Sequence, residues 1–265
     1  MASTAVSSRD AANEAARNAY ILPNNQQEIE RMKNQHEWIK GSFSGLIKAP
    51  IDFETENQKI LDSAAADGMS CLPTSNTLLA HLCNEQKYAM MSLTSDTNIC
   101  RAELYPPPET LPSNVSLVLG DLTKELPAEW TANFDLVHQR FIFPSFPVDT
   151  VERILERLAN CVRPGGWIQL VEPAANENVS GPGPSAFTTL HQIASLFMKC
   201  PSPKEVILSQ LTKLGFININ VHSLDIVIGK FQDNRELDIR GRKSMRAAFN
   251  NMFNMTRQVS QYGLF

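Results

Sequence analysis

The chain has 265 residues, of which 43% are hydrophobic, and a formal net charge of -4 with a pI near 5.8. This charge balance gives no support for a nucleic-acid or anionic-membrane partner. No apolar run reaches the roughly 18 residues that span a bilayer, and the start of the chain lacks the pattern of a secretion signal, so we expect a soluble cytoplasmic protein.

The cysteine pattern indicates reduced thiols. There are five cysteines, an odd number, and none of them is arranged with CxxC spacing. Three of them flank His81, but at spacings longer than those of structural zinc sites, so we expect no bound metal. A chain of this length accommodates one large α/β domain preceded by a helical extension.

An amphipathic helix is predicted from residue 26 onward. Ile29, Met32, His36 and Ile39 recur at helical spacing, with charged residues between them. Residues 43–52 follow as a second short helix or a loop. We therefore expect residues 1–52 to form a helical extension that covers a site as a lid or packs on the edge of a sheet.

The segment at residues 59–68 predicts the first strand-to-helix turn of an α/β sheet. A short apolar stretch is followed by Asp62, then by four small residues, and the segment ends at Gly68. In a doubly wound sheet the ligand lies outside the carboxyl ends of the strands, where small residues let the backbone approach it closely. Alanines occupy positions 64 and 66, where glycines are expected. The alternative is therefore that this segment begins an alanine-rich helix.

Polar residues also collect at the ends of later predicted strands. The stretch at 88–93 is a candidate strand, and the strand at 115–119 ends in Gly-Asp-Leu. A further strand at 134–138 ends at His138. A helix with one apolar face is predicted over 150–162, and an Arg-Pro-Gly-Gly turn separates it from a strand that begins at Trp167. The carboxyl ends of such strands meet at one edge, which is where a ligand is expected.

The last third of the chain predicts helices and one more pair of strands. Helices are expected at 187–198 and 205–214, and the alternation over 216–228 is typical of an antiparallel pair. A polar helical segment closes the chain. We expect three regions: an extension at 1–52, an α/β domain at 53–232 and a helical tail at 233–265.

Taken in order, these motifs resemble the S-adenosylmethionine-dependent methyltransferases of fungal secondary metabolism. That group contains the gliotoxin-type methyltransferases and a global regulator of secondary-metabolite clusters. The Arg-Pro-Gly-Gly turn before Trp167 is the most specific local piece of the resemblance. The resemblance implies a Rossmann-like class I fold: a central, mostly parallel seven-stranded sheet with an antiparallel last strand, preceded by an N-terminal helical lid.

The resemblance also implies a site for the cofactor S-adenosyl-L-methionine. The segment from Asp62 to Gly68 would hold the methionine part, an acid after the second strand would bind the ribose hydroxyls, and the end of the third strand would contact adenine. His138, with Gln139 and Arg140 beside it, would face the methyl-transfer centre as a base or an orienting group. The alternative for His138 is a strand-end histidine bonded to a backbone carbonyl. The implied cofactor-binding residues are Asp62, Ala64, Ala66, Gly68, Asp96, Asp121, Leu122 and His138.

The expected activity is methyl transfer to an oxygen, nitrogen or sulfur atom of a small secondary metabolite. Such a displacement needs positioning and one base, and it needs neither a metal nor a covalent nucleophile. The irregular stretch at 69–99 departs from the pattern of the family. It leaves two alternatives open: a methyltransferase-like protein that catalyses a cyclisation instead, and a regulatory partner protein. The expected partner is a small natural product, without nucleic acid or membrane, and a homodimer is left open.

Overall fold

A parallel sheet organises the described part of the chain. The computed structural model describes residues 26–43, 46–52, 55, 57–63, 87–93, 109, 113–174, 192, 194–195 and 198–261. Five strands form one sheet: β1 Lys59–Ser63, β2 Lys87–Leu93, β3 Val115–Gly120, β4 Phe134–Arg140 and β5 Val162–Val171. Their order is β3-β2-β1-β4-β5, and every pairing is parallel. The chain thus starts at β1, moves outward to β3 and returns to the other side of β1, which creates a switch point between β1 and β4.

Within the described part of the chain, four α-helices accompany the sheet. They are α1 Gln26–Ser42, α2 Val148–Cys161, α3 Pro203–Lys213 and α4 Arg235–Gln261. Each agrees in place with a helix that the sequence predicts, and the strand predicted at 88–93 is also present. None of the helices in the described ranges is long and apolar enough to cross a membrane.

The hydrophobic core lies between α2 and one face of the sheet. Val151, Ile154, Leu155 and Leu158 of α2 have no exposed surface and pack in one cluster with Leu61 of β1 and two apolar residues of β4. Their spacing is that of one helical face. Burying side chains of this size stabilises the fold by about 1.5–3 kcal/mol each, so this face anchors α2 against the sheet.

The Arg-Pro-Gly-Gly sequence is a kink at the start of β5. Gly165 adopts φ +78, and a Cβ on Gly166 would come within 3.0 Å of the carbonyl oxygens of Phe134 and Asp135. The pairing of β4 with β5 shifts register at this point. Arg163 Nε donates to Asp135 Oδ1 at 2.6 Å. Glycines are required here because the strand passes so close to the backbone of β4.

The two ends of the described chain pack together through α1 and α4. Gly41 of α1 lies against Leu237, and Gly241 of α4 lies against Trp38. Asn251 Nδ2 donates to Glu28 Oε2 at 3.1 Å across the same pair of helices. The small residues let the two helices approach closely, so α1 is held from one side by the C-terminal helix.

Residues 46–49 form hydrogen bonds to a side chain of β5 and do not form a helix. Gln169 Oε1 accepts from the backbone N–H groups of Lys48, at 2.6 Å, and Ala49, at 2.9 Å. Gln169 Nε2 donates to the carbonyl of Leu46 at 2.7 Å. Of the two options predicted for residues 43–52, the described residues form the loop, because one side chain of the sheet satisfies their backbone groups.

The prediction of an antiparallel pair of strands at residues 216–228 is wrong. In the structure they form no strand, and apolar side chains such as Ile217 and Val221 are 81% and 52% exposed. The described sheet therefore has five strands, all parallel, where the sequence predicts seven with an antiparallel last strand. A segment of alternating apolar and polar residues forms a stable strand only when the edge of a neighbouring strand supplies hydrogen bonds and covers its apolar side chains. Within the described residues, no strand pairs with residues 216–228. The division of the chain at 52/53 and 232/233 stays a prediction.

Candidate active site at the strand ends

The carboxyl ends of β1 and β4 carry five polar residues. The pairing places Asp62 opposite His138 and Ser63 opposite Gln139. Because successive side chains of a strand point to opposite faces, Asp62, His138 and Arg140 share one face, while Ser63 and Gln139 lie on the other. Gln139 thus differs from the expectation that it faces the same centre as His138. The first face carries the candidate site.

Asp62 and His138 form a hydrogen-bonded pair. His138 Nδ1 lies 2.9 Å from Asp62 Oδ1, and the two side chains are 7% and 19% exposed. Burial by itself raises the pKa of Asp62, but the hydrogen bond with His138 and the positive charge of Arg140 outweigh it and hold that pKa below its usual value. An ionised Asp62 can only accept, so Nδ1 of His138 carries a proton, and the neutral form of this imidazole has its lone pair on Nε2.

Helix α1 reaches this face through His36. Arg140 Nη2 donates to His36 Nδ1 at 3.0 Å. Burial, and after it the charge of Arg140, lowers the pKa of His36 from 6.5 to about 3. His36 is therefore neutral at physiological pH. A neutral imidazole that accepts at Nδ1 carries its proton on Nε2.

A buried carboxyl lies on the other face, directly after β5. Glu172 Oε1 accepts from Gln139 Nε2 at 3.0 Å and from the backbone N–H groups of Ile142 and Phe143 at 3.1 and 3.3 Å. These donors follow a sharp turn in which Phe141 adopts φ +58. Burial raises the pKa of Glu172 from 4.5 to about 7, although its hydrogen bonds oppose the shift. The carboxyl therefore secures the turn that follows β4.

The comparisons with known proteins decide the family. N-methyltransferase verN of Clonostachys rogersoniana is 53% identical over 248 residues, which are 91% of this chain and 80% of that protein. N-methyltransferase sirN of Leptosphaeria maculans is 35% identical over 157 residues, which are 58% of this chain and 49% of that protein. The chain belongs to the S-adenosylmethionine-dependent methyltransferases of fungal secondary metabolism. No protein-family model matches it.

The fold of this methyltransferase agrees with that of solved structures. A structure of PigF with SAH superposes with a TM-score of 0.50 at 19% identity and covers 73% of this chain and 53% of PigF. The Rossmann-like α/β class predicted from the sequence is therefore confirmed. The predictions of the family, of methyltransferase activity and of S-adenosylmethionine as the cofactor are confirmed with the family membership.

Four of the predicted site residues of the methyltransferase can be placed. Asp62 and His138 meet at the switch point. Asp121 follows β3, and its Oδ1 accepts from the backbone N–H and the hydroxyl of Thr123 at 2.8 and 2.7 Å. Leu122 has no exposed surface and lies in the hydrophobic core, so any contact with adenine would come from its backbone. The other predicted residues lie outside the described part of the chain: Ala64, Ala66, Gly68 and Asp96.

The described strand ends fit the predicted cofactor. The amino group and ribose hydroxyls of S-adenosylmethionine are hydrogen-bond donors, and carboxylates at the ends of β1 and β3, Asp62 and Asp121, can accept from them. On the face that carries the candidate site, His138 Nε2 is buried and has no hydrogen-bond partner among the residues described. Buried polar atoms are rarely left in this state without a reason, so the strand ends have bonding capacity for a ligand.

Sequence reasoning missed two members of the site region. His36 was assigned to the apolar face of α1, because a histidine at helical spacing does not show what it will meet. Glu172 was included in the strand that begins at Trp167 and was not selected. Its position immediately after an apolar strand was the signal that could have found it.

Proposed function

We propose that this methyltransferase methylates a nitrogen atom of a small secondary metabolite, and that His138 accepts the proton of that nitrogen. The relatives verN and sirN are both named N-methyltransferases, which supports nitrogen as the acceptor atom. The observation that carries the role of His138 is its 2.9 Å hydrogen bond to Asp62 at the switch point of the sheet.

The residues that would hold the cofactor lie at the ends of β1 and β3. Asp62 and Asp121 would accept from it, and the segment from 64 to 68 together with Asp96 is the part of the cofactor site that the sequence predicts. S-adenosylmethionine, when bound, supplies an electrophilic methyl group. The protein adds position and a proton acceptor, which is the contribution that a displacement of this kind requires.

His138 is arranged to take a proton at one defined atom. Asp62 holds the Nδ1–H, so the lone pair of Nε2 is the free end of the imidazole. A nitrogen nucleophile that gains a methyl group must lose its proton to leave a neutral product, and Nε2 receives that proton. The carboxylate of Asp62 then stabilises the imidazolium, as a carboxylate does for other catalytic histidines.

The function is tested with the full chain and S-adenosylmethionine carrying a labelled methyl group. The acceptors are small molecules in matched sets that differ only in an N–H, O–H or S–H group, with the already N-methylated compound as the blank. We expect label on the N–H members and none on the blank. Label only on oxygen or sulfur contradicts the nitrogen assignment. Absence of S-adenosylhomocysteine binding by calorimetry, with a folded chain, points instead to a relative that does not transfer methyl groups.

The role of His138 is tested by His138→Ala, with His222→Ala as the control. His222 is an exposed histidine far along the chain from the strand ends. Loss of a general base lowers turnover by roughly 10²- to 10⁴-fold, and we expect the affinity for S-adenosylhomocysteine to fall much less than turnover. An equal loss of turnover and affinity would instead identify His138 as a structural residue.

A further inference from the structure

Two buried histidines at the strand ends present opposite tautomers. His138 donates through Nδ1 to Asp62, which leaves the lone pair of the neutral imidazole on Nε2. His36 accepts through Nδ1 from Arg140, which can only donate, and keeps a proton on Nε2. Side-chain exposure is 7% for His138 and 8% for His36. One buried acceptor and one buried donor therefore belong to the same polar cluster.

Neither Nε2 atom has a hydrogen-bond partner among the described residues. Among the described residues, His36 Nε2 forms an ion-pair contact with Glu37 Oε1 at 3.9 Å, which is beyond hydrogen-bonding distance. A buried N–H without a partner costs about 1–3 kcal/mol. A structural role for His36 explains the bond at Nδ1, and it leaves the orientation of Nε2 unexplained.

The position of His36 is secured from both sides of α1. On one side the helix packs closely on α4, through Trp38 against Gly241. On the other side His36 is bonded to Arg140. Arg140 follows His138 by two positions on β4 and thus lies on the same face as the Asp62–His138 pair. The carboxylate of Asp62 is also close enough to act on the pKa of His36. His36 is thus held over the face that carries the proton acceptor.

We propose that His36 is a substrate-binding residue: Nδ1 anchors Arg140, and the Nε2–H donates to an acceptor atom of the bound metabolite, next to the nitrogen that His138 serves. This role rests on the proposed function. It makes α1 a part of the acceptor site, and the first residues of the described chain then contribute directly to substrate recognition.

The tautomers are tested without any substrate, by long-range ¹H–¹⁵N NMR of the ¹⁵N-histidine-labelled full chain. The five histidines are assigned by comparison with His36→Asn and His138→Asn. We expect His36 to show a protonated Nε2 and an unprotonated Nδ1 at neutral pH, and His138 to show the reverse. A proton on Nδ1 of His36, or on both of its nitrogens, overturns the proposal.

Substrate binding is tested by two replacements, each of which keeps one of the two hydrogen-bonding functions of the imidazole. His36→Asn retains an acceptor near the position of Nδ1 and loses the donor. His36→Gln retains a donor near the position of Nε2. We expect His36→Asn to raise the KM of the N–H acceptor roughly 3- to 10-fold, the worth of one hydrogen bond, with unchanged S-adenosylhomocysteine affinity by calorimetry. His36→Gln should keep KM within about twofold.

Asn34→Ala is the matched control, because Asn34 is buried on the same helix and, within the described residues, its side chain forms hydrogen bonds only to Glu30. It should leave KM unchanged. Equal impairment by His36→Asn and His36→Gln, or no effect of either, overturns the substrate-binding role while N-methylation itself stands. A wild-type chain that methylates no N–H acceptor overturns the proposed function, and this role with it, whatever the tautomers are.

Discussion

Replacement of Glu172 by glutamine should change how the stability of this methyltransferase depends on pH. Glu172 Oε1 accepts three hydrogen bonds, and Oε2 is buried without a partner in the described part of the chain. Glutamine has the same shape, keeps an oxygen for the three donors and cannot ionise. The variant therefore removes the titration of this carboxyl and leaves the turn after β4 in place.

The size of the expected change in the free energy of unfolding follows from the pKa of Glu172, which burial raises from 4.5 to about 7. Between these two pH values the folded state holds a proton that the unfolded state has released, so the free energy of unfolding falls as pH rises. A shift of this size is equivalent to about 3 kcal/mol. The full contribution is present below pH 4.5 and is lost once the pH has passed about 7.

The assay is urea unfolding followed by circular dichroism at several pH values from 5 to 8. We expect Glu172→Gln to be about as stable as the wild type at pH 5 and more stable by up to about 3 kcal/mol at pH 8. Glu156→Gln, on the exposed side of α2, is the control and should follow the wild type throughout. Parallel pH profiles for the wild type and Glu172→Gln would refute the reasoning.

Three further predictions concern the site and its support. Because the pKa of His36 falls from 6.5 to about 3 in the fold, this histidine should contribute a loss of about 2 kcal/mol at pH 5, so in urea unfolding the stability of His36→Gln relative to the wild type should rise by that amount between pH 7 and pH 5. Gly241→Ala would place a Cβ 2.7 Å from Trp38 Cε2 and should cost about 1–3 kcal/mol; a higher melting temperature would contradict the close contact. Asp62→Ala should weaken S-adenosylhomocysteine binding at least roughly 10-fold by calorimetry, and unchanged binding would remove Asp62 from the cofactor site.

The predictions that the structure confirms came from the spacing of apolar residues and from the polar residues at the ends of strands. The apolar face of α2 is readable because residues three and four positions apart always share a side of a helix. Asp62 and His138 could be selected together because the carboxyl ends of parallel strands meet at one edge, whatever the order of the strands. These signals depend on local spacing alone, so one sequence is enough to read them.

The contacts that define the site depend on which strands are neighbours and in what register. Asp62 and His138 are 76 residues apart, and His36 and Arg140 are 104 apart. No local pattern shows that β1 pairs with β4 or that α1 crosses their ends. The alternation at 216–228 shows the same limit, because a strand pattern becomes a strand only beside a free edge.

The sequence by itself determined the α/β class, the places of the described helices and parallel strands, and the strand ends at which Asp62 and His138 meet. Only the tertiary structure decided that Asp62 orients His138, that His36 meets Arg140, and that Glu172 is buried beneath the turn after β4. The physical reason is that propensity and periodicity act over a few residues. Hydrogen bonds and pKa shifts arise from neighbours in space, and those neighbours exist only after the strands have paired.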